Sequence, residues 1–509
     1  MSETIFYKFL NSNSIRDVLE PVKYEDPEYV NEQVVFDVLQ EIVDNNARVL
    51  VYGDYDVDGL MCAKGAADAL HNLGCTNVEI FNYVSRTHNL DRHFVYQCVQ
   101  EKFEYAVICD TASSELDALR QLTVAGVKVI VLDHHDTKCN YKDYPDNCFV
   151  INTILENRAI KQHKFAFSAG ALVWSVFHKF AKTRYNKEFP YLAMYALISL
   201  YADCMDMYNQ LNRAVYWYVN DLSSAEMNKA SVVLRFMNEY TVFGRRFIDF
   251  WFSPRINACF RSENFDLLNA LFFQNNDNET MSKLVERITE VYEIYRELIA
   301  TISDSLETTE LQKFVVCDLN QLSVEYDIKK LKLHNYTGLI ANKLSDKYDK
   351  PAIVTCSVDS MYKGSFRDRI GNDYLSLFQQ ICDANGHRSA FGFHFALFDY
   401  NEFMKNLEFL DKRIGLGDMI SGSIIIEYEV PEPSSNVIED MGIYNDFSGG
   451  TLPILYVKKQ KIGYMKEIYS QYNYKYKWGD YVIQSDYPLD FGTEIIAKPV
   501  KRQNVTLIV

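Results

Sequence analysis

The hydrophobic pattern of the first 220 residues alternates between strand-like and helical segments. Three apolar runs rich in β-branched residues stand out: 49–52, 106–109 and 127–132. Their continuous hydrophobicity is typical of strands buried on both faces of a parallel sheet. Helical spacing fills the intervals, and residues 31–43 are also helical in pattern. We therefore predict an α/β domain with a doubly wound parallel sheet at residues 46–220, after a lead-in of residues 1–45.

Beyond residue 220 the pattern turns helical. Residues 221–278 favour helices, with a break expected at Ser253-Pro254. Residues 279–307 contain no proline or glycine, and their apolar residues recur at helical spacing. We interpret this segment as a connector helix that holds two lobes apart, within a helical region of residues 221–311. A helix in the core of one lobe is the alternative.

The C-terminal part of the chain divides into two further regions. Residues 312–420 return to strands and helices, which predicts a second α/β domain. Residues 421–509 favour short strands separated by turn signals, which predicts a small all-β module, and an OB-fold is one interpretation of it. Its many tyrosines suit base stacking, and ordinary packing in strands or docking of a partner protein is an equal alternative.

Composition indicates a multidomain protein. At 509 residues the chain exceeds the size at which a single core keeps growing, and 48% hydrophobic residues suffice for several cores. No signal-peptide pattern is present, and the most apolar helical stretch, 191–202, is too short to span a bilayer. The eleven cysteines form no Cys-x-x-Cys pair and are expected to be buried thiols. We expect a cytoplasmic protein that does not associate with membranes.

Acidic and histidine residues form four short motifs. They are Asp54, Asp56 and Asp58 in GDYDVDG, Asp110 in AVICDTASS, Asp133, His134 and His135 in VIVLDHHD, and Asp203 in LISLYADCMDM. The first three motifs stand at the carboxyl ends of the predicted strands. Ligands bind outside the carboxyl ends of the strands in open α/β sheets, so that groups far apart in sequence converge there. The motifs therefore predict one site.

So many carboxylates in one place require a cation. Like charges a few ångströms apart raise each other's pKa and destabilise the fold unless a positive charge lies between them. Carboxylates mixed with imidazole suit Mn²⁺ better than Mg²⁺, although Mg²⁺ is an alternative. Two such ions are the usual device for hydrolysing a phosphodiester. We predict a site for two divalent metal ions that catalyses phosphoryl hydrolysis.

Each motif taken alone has another interpretation. The first matches half of an EF-hand calcium loop, but the glutamate that this loop requires would fall at Gly65. Asp110 is also typical of a helix N-cap or a turn residue. His134 and His135 would fit a buried pair bonded to backbone, and Asp203 would fit a solvent-facing helix residue. The joint order and spacing of the motifs favours the metal site.

The motifs resemble those of the DHH phosphoesterase superfamily, and the rest of the chain resembles its RecJ branch of single-strand exonucleases. Residues 254–258 (PRINA) resemble a RecJ segment, as does Asn212-Arg213 after Asp203. Further segments resemble the DHHA1 substrate-binding domain: 337–341 (TGLIA), 350–351 (KP), 363–367 (KGSFR) and 385–392 (NGHRSAFG). The resemblance implies a DHH domain joined by the long helix to a DHHA1 domain.

The resemblance implies roles for the motif residues. The metal ligands would be Asp56, Asp58, Asp110, His134 and Asp203. Asp54 would be a further ligand or support the others, Asp133 would orient a neighbouring imidazole, and His135 would face the scissile phosphate.

The resemblance also implies a substrate-binding surface. Its residues would be Arg86, Arg255, Asn257, Ser365, Arg367, Gly386 and His387. The serine and the three arginines would form a pocket for a terminal phosphate, since a guanidinium binds phosphate oxygens in pairs. Three residues depart from the family pattern, namely Thr111, Phe260 and Asn385. They bear on substrate length and end preference and leave the implied ligands unchanged.

The net charge of -17 constrains any nucleic-acid interaction. Affinity for phosphates comes from lysine and arginine, so positive charge must be concentrated in a cleft. The candidates are Arg86, Arg255, Arg261, Lys363, Arg367 and Arg388.

The sequence thus predicts a two-metal 5′→3′ exonuclease that releases mononucleotides from single-stranded DNA, in repair, recombination or replication. The first alternative is a phosphodiesterase of short oligonucleotides or cyclic dinucleotides, which would share every ligand. The second alternative is a catalytically weak scaffold that binds replication or repair proteins.

Overall fold

A computed structural model describes most of the chain. The described residues are 7, 10–11, 15–84, 90–237, 242–324, 326–328, 330–368, 374–387, 389–413, 423–428, 435–447, 454–459, 466–468, 474–478, 481–485, 489, 495–500 and 506–508. Among them, no helix is both long and apolar enough to cross a bilayer.

The first sheet has five parallel strands in the order β2-β1-β3-β4-β5. The strands are β1 (Val49–Gly53), β2 (Val78–Ile80), β3 (Tyr105–Cys109), β4 (Lys128–Asp133) and β5 (Cys148–Asn152). Every residue of β1 and β3 is buried, as expected of central strands with helices on both faces. The α/β fold class and the parallel sheet predicted from the sequence are confirmed.

Helices accompany the first sheet up to residue 220. They are α1 (Glu32–Asp44), α2 (Val57–Leu73), α3 (Arg92–Gln100), α4 (Leu116–Val124), α5 (Thr153–Ile160), α6 (Ala169–Tyr185), α7 (Ala193–Ala202) and α8 (Gln210–Asn220). Short 3₁₀ turns lie at Arg16–Leu19, Tyr141–Asp143 and Pro190–Leu192. Helices α2, α6 and α7 pack on one another, and they bring their ends to the carboxyl edge of the sheet.

A helical segment follows. It contains α9 (Ser224–Met227), α10 (Ser231–Leu234), α11 (Arg245–Phe247), a π-helical turn (Ile248–Phe252), α12 (Ser253–Ser262), α13 (Phe265–Phe273) and α14 (Asn278–Ser305). Pro254 does not break the helical path as expected. It occupies the first turn of α12, where the missing N–H of proline is tolerated, and the π-helical turn runs directly into that helix.

Helix α14 is the long helix predicted from the sequence, and at 28 residues it spans about 42 Å. Met281 and Ile288 in its first half belong to the core of the first sheet. Ile299 and Ile302 in its second half belong to a separate core under the second sheet. One helix therefore serves two cores, as a connector does.

The second sheet has six strands in the order β10-β11-β9-β8-β7-β6. The strands are β6 (Thr309–Glu310), β7 (Val315–Asp318), β8 (Ala352–Val358), β9 (Met361–Arg367), β10 (Asp383–His387) and β11 (Ala390–Ala396). Its helices are α15 (Thr337–Tyr348), α16 (Leu375–Phe378) and α17 (Tyr400–Arg413), with 3₁₀ turns at Leu319–Val324, Leu333–Tyr336 and Leu397–Asp399. One face packs on α14 and α15, and the other carries a phenylalanine-rich core.

The third sheet confirms the β-rich C-terminal region. Its order is β12-β13-β17-β18-β16-β15-β14. The strands are β12 (Ser423–Tyr428), β13 (Ile454–Lys459), β14 (Lys466–Ile468), β15 (Tyr474–Trp478), β16 (Tyr481–Ser485), β17 (Ile495–Val500) and β18 (Thr506–Ile508). The region is not all-β as expected, because helix α18 (Ser435–Phe447) lies within it. Val437, Met441 and Tyr444 of α18 belong to the core of the first sheet.

Candidate metal centre

The first motif lies where β1 turns into α2. Asp56 is the N-cap of α2, and its carboxylate accepts a hydrogen bond of 3.0 Å from the N–H of Gly59. The turn brings backbone very close to backbone: a Cβ on Gly53 would lie 1.9 Å from the carbonyl oxygen of Gly59, and a Cβ on Gly59 would lie 2.2 Å from the amide nitrogen of Asp54. Both glycines are therefore required to place Asp54, Asp56 and Asp58 at the end of the strand.

Asp58 is completely buried. Its carboxylate accepts hydrogen bonds from the N–H groups of Ala169 (3.0 Å) and Gly170 (2.8 Å) at the start of α6, and the hydroxyl of Ser199 in α7 also contacts it. A helix N-terminus favours negative charge. Burial nevertheless raises the pKa of Asp58, with Asp203 adding to the effect. The carboxylate is rigidly held and carries unfavourable charge in the absence of a cation.

Asp110 follows β3 in a left-handed conformation, with φ of 65°. Its N–H donates to the carbonyl of Leu132 (3.0 Å), so the ladder between β3 and β4 continues to this residue. Helix α4 begins six residues later with Glu115 as its N-cap, which excludes the N-cap interpretation of Asp110. Burial and the neighbouring Asp58 raise the pKa of Asp110 well above its ordinary value.

Asp133, at the end of β4, holds the histidine pair in place. Its Oδ1 accepts from the N–H of His134 (2.7 Å) and lies 2.8 Å from Nδ1 of His135. Burial alone would raise the pKa of Asp133, but the bond and charge of His135 hold it well below its ordinary value. Asn152 on β5 donates to the carbonyl of His135 (3.0 Å). Asp133 thus orients His135, whose side chain is 56% exposed.

Asp203 comes directly after the last residue of α7 and donates its N–H to the carbonyl of Ser199 (3.1 Å). The carboxyl end of a helix carries partial negative charge, so a carboxylate there is unfavourable unless a cation lies nearby. The Asp203 side chain is 22% exposed and turns towards the strand ends.

The four motifs meet around His134. Its Nε2 lies 3.2 Å from Asp203, 3.3 Å from Asp110 and 3.9 Å from Asp58. Two overlapping groups have potential ligand atoms within 4.8 Å of one another: Asp110, His134 and His135 form one, and Asp58, His134 and Asp203 form the other. The sequence prediction that these motifs form one site agrees with this geometry.

Two buried atoms in the cluster are suited to ligate a cation. Nε2 of His134 and Oδ1 of Asp110 are buried, and among the described residues neither has a partner with hydrogen-bond geometry. Burial alone would lower the pKa of His134, but the surrounding carboxylates, Asp203 first, raise it to about 9. Burial and the carboxylate of Asp203 raise the pKa of Asp56 to about 8. Without a metal the site therefore takes up protons to reduce its charge.

A cavity of about 220 Å³ opens beside Asp56 and Asp203. The other residues that line it are Tyr55, Val57, Ala202, Asn257, Phe260 and Arg261. Asn257, a predicted substrate-binding residue, therefore lies next to the acidic cluster. Arg261, one of the cleft candidates, brings positive charge to the same cavity.

Arg255 lies elsewhere. It precedes Asn257 by two residues, a rotation of about 200° around α12, so the two side chains leave opposite faces of the helix. The guanidinium is 3.6 Å from the ring centroid of Trp251 and 4.7 Å from that of Tyr292 on α14. It also donates to the carbonyl of Trp251 (2.8 Å) and to Thr289 (3.3 Å). The structure therefore binds Arg255 to the connector helix and does not bring it to the cavity.

Ser365 and Arg367 meet the start of α15. The hydroxyls of Ser365 and Thr337 are 2.9 Å apart, and a Cβ on Gly338 would lie 2.6 Å from Nη2 of Arg367. The guanidinium donates to the carbonyl oxygen of Phe366 (2.7 Å). Burial lowers the pKa of Arg367, and no carboxylate in the described part of the chain offsets this effect. Hydroxyls, a helix N-terminus and a guanidinium together make a cradle for an anion.

The remaining predicted residues lie on β10 or outside the described residues. Gly386 has φ of 139°, and a Cβ there would lie 2.8 Å from Cα of Phe391. His387 pairs with Ala390, which pairs with Arg367 in the next strand, so its backbone lies in the same row as the cradle. Arg86 and Arg388 lie outside the described residues.

Helix α12 joins the two parts of the site. Its face towards the cavity carries Asn257 and Arg261. The carbonyl of Arg261 accepts from the side chain of Asn335 (2.9 Å), and that of Ala258 accepts from the hydroxyl of Tyr336 (3.4 Å). Both donors lie in the 3₁₀ turn just before α15. The cavity and the anion cradle are thereby fixed relative to each other.

Sequence reasoning missed the groups that support Asp58. Gly170 is closely packed: a Cβ there would lie 2.3 Å from the hydroxyl oxygen of Ser199. Ser168, the N-cap of α6, lies 2.8 Å from the same hydroxyl. Ser168-Ala-Gly has the form of a helix start, and that was the available signal. Nothing in the sequence indicates that this helix start faces Asp58.

Comparisons with known proteins agree with this geometry. Residues 48–206 match the profile of the DHH family, N-terminal domain. The single-stranded-DNA-specific exonuclease RecJ of Bacillus subtilis is 23% identical over 375 residues, which are 70% of this chain and 44% of that protein. The putative SPbeta prophage-derived single-strand DNA-specific exonuclease YorK of the same species is 22% identical over 338 residues, 62% of this chain and 56% of that protein. The chain thus spans about half the length of these curated relatives.

The fold extends further than the sequence similarity. The crystal structure of RecJ in complex with Mn²⁺ from Thermus thermophilus superimposes with a TM-score of 0.71 at 16% identity, covering 99% of this chain and 74% of that one. The Mg²⁺ complex gives a TM-score of 0.66 at 15% identity, covering 99% and 73%. Nearly the whole chain shares this fold.

Proposed function

Because this chain belongs to the DHH superfamily and is RecJ-like, we propose that it is a metal-dependent 5′→3′ exonuclease that hydrolyses single-stranded DNA to mononucleotides. The observation that carries the proposal is the buried carboxylate cluster around His134, in which a histidine nitrogen and a carboxylate oxygen lack hydrogen-bond partners in the described part of the chain. A cluster of this composition is stable when it holds cations. We propose that the enzyme acts in the cytoplasm, in DNA repair, recombination or replication.

The residues fit two divalent ions, with Mn²⁺ preferred because imidazole is mixed with carboxylates. We assign the ligand role to Asp56, Asp58, Asp110, His134 and Asp203, with Asp54 as a further ligand or support. When bound, such ions activate water as a nucleophile and stabilise the charge that develops on the phosphate.

We assign His135 to the scissile phosphate. Its ring is held by the 2.8 Å contact with Asp133, and more than half of the side chain is exposed. Burial lowers the pKa of His135, but Asp133 outweighs this effect and raises it to about 10. A protonated His135 would donate a hydrogen bond to a phosphate oxygen, while Asp133 keeps the ring from turning away.

We assign the anion cradle of Ser365 and Arg367 to the terminal 5′ phosphate of the strand. An arginine that is mostly buried without a carboxylate partner among the described residues is stabilised by binding an anion. Asn257 and Arg261 would contact the strand next to the metal ions, and Gly386 allows backbone to approach it. Arg86 and His387 remain proposed substrate contacts from the resemblance alone.

The relatives support single-stranded DNA as the proposed substrate, because they are named as single-strand-DNA-specific exonucleases. The negative net charge supports binding along a confined cleft rather than over a broad surface. Positive charge would come from Arg261, which lines the cavity, and from Arg367 in the anion cradle.

The test is a Mn²⁺-dependent digestion time course on single strands labelled at either end. A duplex and a series of two to five nucleotides are run beside it. Mononucleotides released from the 5′ end, with the duplex spared, are expected. Cleavage of the shortest oligonucleotides alone would indicate a phosphodiesterase of short oligonucleotides or cyclic dinucleotides. No cleavage of any substrate would favour a catalytically weak scaffold that binds replication or repair proteins. Asp110→Asn serves as the inactive variant, and Asp37→Asn, an exposed carboxylate on α1, is its control.

A further inference from the structure

Helix α7 supplies two groups to the metal centre from one face. The hydroxyl of Ser199 contacts Asp58, and Asp203 lies four residues later, just beyond the last turn. Residues four apart on a helix are neighbours on the same face. Tyr201 lies between them in sequence and therefore leaves the opposite face. A contact that fixes Tyr201 therefore also fixes Ser199 and Asp203 on the opposite face of the helix.

Arg245 packs behind α7. Its guanidinium lies 5.5 Å from the ring centroid of Tyr201 and forms an ion pair of 3.0 Å with Asp249 in the π-helical turn. Burial alone would lower the pKa of Arg245, but Asp249 outweighs it and the pKa is raised. The same guanidinium donates to the carbonyl oxygens of Asn445 (3.1 Å) and Asp446 (2.9 Å).

Those two carbonyls belong to the last turn of α18. The final carbonyls of a helix have no partner within it, and they attract a cation because the carboxyl end of the helix is partly negative. Helix α18 is in turn fixed to its own sheet, since the side chain of Asn445 donates to the carbonyl of Pro499 on β17 (3.1 Å). Phe447 adds an edge-to-face contact with Tyr216 on α8, with 4.7 Å between ring centroids.

We propose that Arg245 is a positioning residue for the metal centre, which ties the end of α7, and with it Asp203, to helix α18. Docking of the C-terminal region then sets the affinity for metal, although no residue of α18 is a ligand. This inference rests on the proposed metal-dependent function, and it concerns how that centre is held rather than what it does.

Direct metal binding tests the role of Arg245. Isothermal titration of the full chain with Mn²⁺ should give a dissociation constant for Arg245→Ala that is roughly tenfold higher than for the wild type, the scale on which groups behind metal ligands act. The Mn²⁺ concentration for half-maximal hydrolysis should rise by the same factor, while the rate at saturating Mn²⁺ stays close to that of the wild type. A purely structural role would lower stability without this selective shift.

Three further variants of the chain complete the experiment. Arg245→Lys keeps the charge but not the pair of carbonyl contacts, so it should lie between wild type and Arg245→Ala, and it decides the question should the alanine variant not fold. Phe447→Ala loosens α18 without touching Arg245 and should shift the dissociation constant in the same direction. Arg184→Ala breaks a comparable ion pair with Asp37 (2.7 Å) at the far end of α6 and should leave Mn²⁺ binding unchanged.

The outcomes separate this inference from the proposed function. A wild-type protein that does not bind Mn²⁺ would refute the metal centre itself. A wild type that binds Mn²⁺, with folded Arg245 variants that bind it equally well, would refute only the positioning role. A shift in both Arg245 variants without one in Phe447→Ala would overturn the link to α18.

Discussion

Nε2 of His134 lies 3.2 Å from Oδ2 of Asp203, across the carboxyl edge of the first sheet. One residue follows a central strand and the other ends a helix that packs against a neighbouring helix, so the contact depends on the tertiary fold alone. Neither residue could reach the other unless β4 and α7 end at the same edge. This pair is the centre around which the other carboxylates collect.

Replacing Asp110 with asparagine should separate activity from stability. The variant should lose hydrolysis by at least about a thousandfold, equivalent to roughly 4 kcal/mol of transition-state stabilisation. The metal-free variant should be at least as stable as the wild type, because a neutral amide of the same shape replaces a carboxyl that must bind a proton, against its ordinary pKa, when the metal-free protein folds. Thermal unfolding with EDTA measures this, and a clear fall in stability would contradict the buried, repelled state of Asp110.

The stability of the metal-free protein should fall as pH rises from about 5 to about 9. A carboxyl whose pKa is raised by folding stabilises the native state below its unfolded pKa and loses that contribution as pH passes the folded value, which for Asp56 is about 8. The raised pKa of His134, about 9, acts in the same direction. Urea unfolding at pH 5, 7 and 9 with EDTA should show the fall. Saturating Mn²⁺ should remove most of this fall in stability. A stability that rises with pH in EDTA would contradict the raised pKa values of Asp56 and His134.

Arg367→Gln should impair recognition of the strand end. Hydrolysis of strands with a 5′ phosphate should decrease roughly tenfold more than that of strands with a 5′ hydroxyl, since one charge-assisted bidentate contact is lost. Initial rates on the two substrates give the ratio. Lys347→Gln, which changes an exposed charge in the last turn of α15, is the control and should leave the ratio unchanged. Equal losses on both substrates would remove Arg367 from the end pocket.

Gly338→Ala should reproduce that defect through space alone. The added Cβ would come within 2.6 Å of Nη2 of Arg367, and the guanidinium, as the free end of a flexible side chain, would move aside without harm to the fold. Alanine also favours the helix by up to about 1 kcal/mol over glycine. We therefore expect unchanged or higher thermal stability with the same loss of preference for a 5′ phosphate. A normal ratio of rates would show that the guanidinium position is not restricted by Gly338.

Arg255→Ala should act on stability and not on end recognition. The side chain is 2% exposed and lies between Trp251 and Tyr292, so truncation should cost about 3 kcal/mol through lost packing and unpaired polar groups. Urea denaturation gives the free energy of unfolding, and the ratio of rates on 5′-phosphate and 5′-hydroxyl strands gives recognition. A large change in that ratio with normal stability would return Arg255 to the phosphate pocket.

The sequence predicts the part of the site that lies at the carboxyl ends of buried strands. A buried strand ends where its apolar run ends, and in a parallel sheet all such ends lie on one edge. Asp58, Asp110 and His134 were therefore predictable from local pattern and this one rule. The sequence also predicts the length of helix α14, because nothing interrupts its spacing.

The remaining features depend on contacts that local pattern does not encode. The donors to Asp58 come from α6 and α7, far along the chain, and only the packing of three helices brings them there. Arg255 and Asn257 stand in one motif yet leave opposite faces of α12, and only the position of α14 decides which face meets the cavity. Helix α18 was not predicted, because its thirteen residues include Gly442 and lie between strand-like segments.

The hydrogen bonds from Asn335 and Tyr336 to α12 have a consequence for the size of the product. They fix the distance from the anion cradle to the carboxylate cluster, so a strand anchored by its terminal phosphate presents the same backbone position for cleavage each time. These hydrogen bonds between the lobes therefore set the length of strand between the anchored end and the cleavage position. With the proposed roles of the two ends, the enzyme would measure length along the strand without reading any base, and every cut would release a piece of one size.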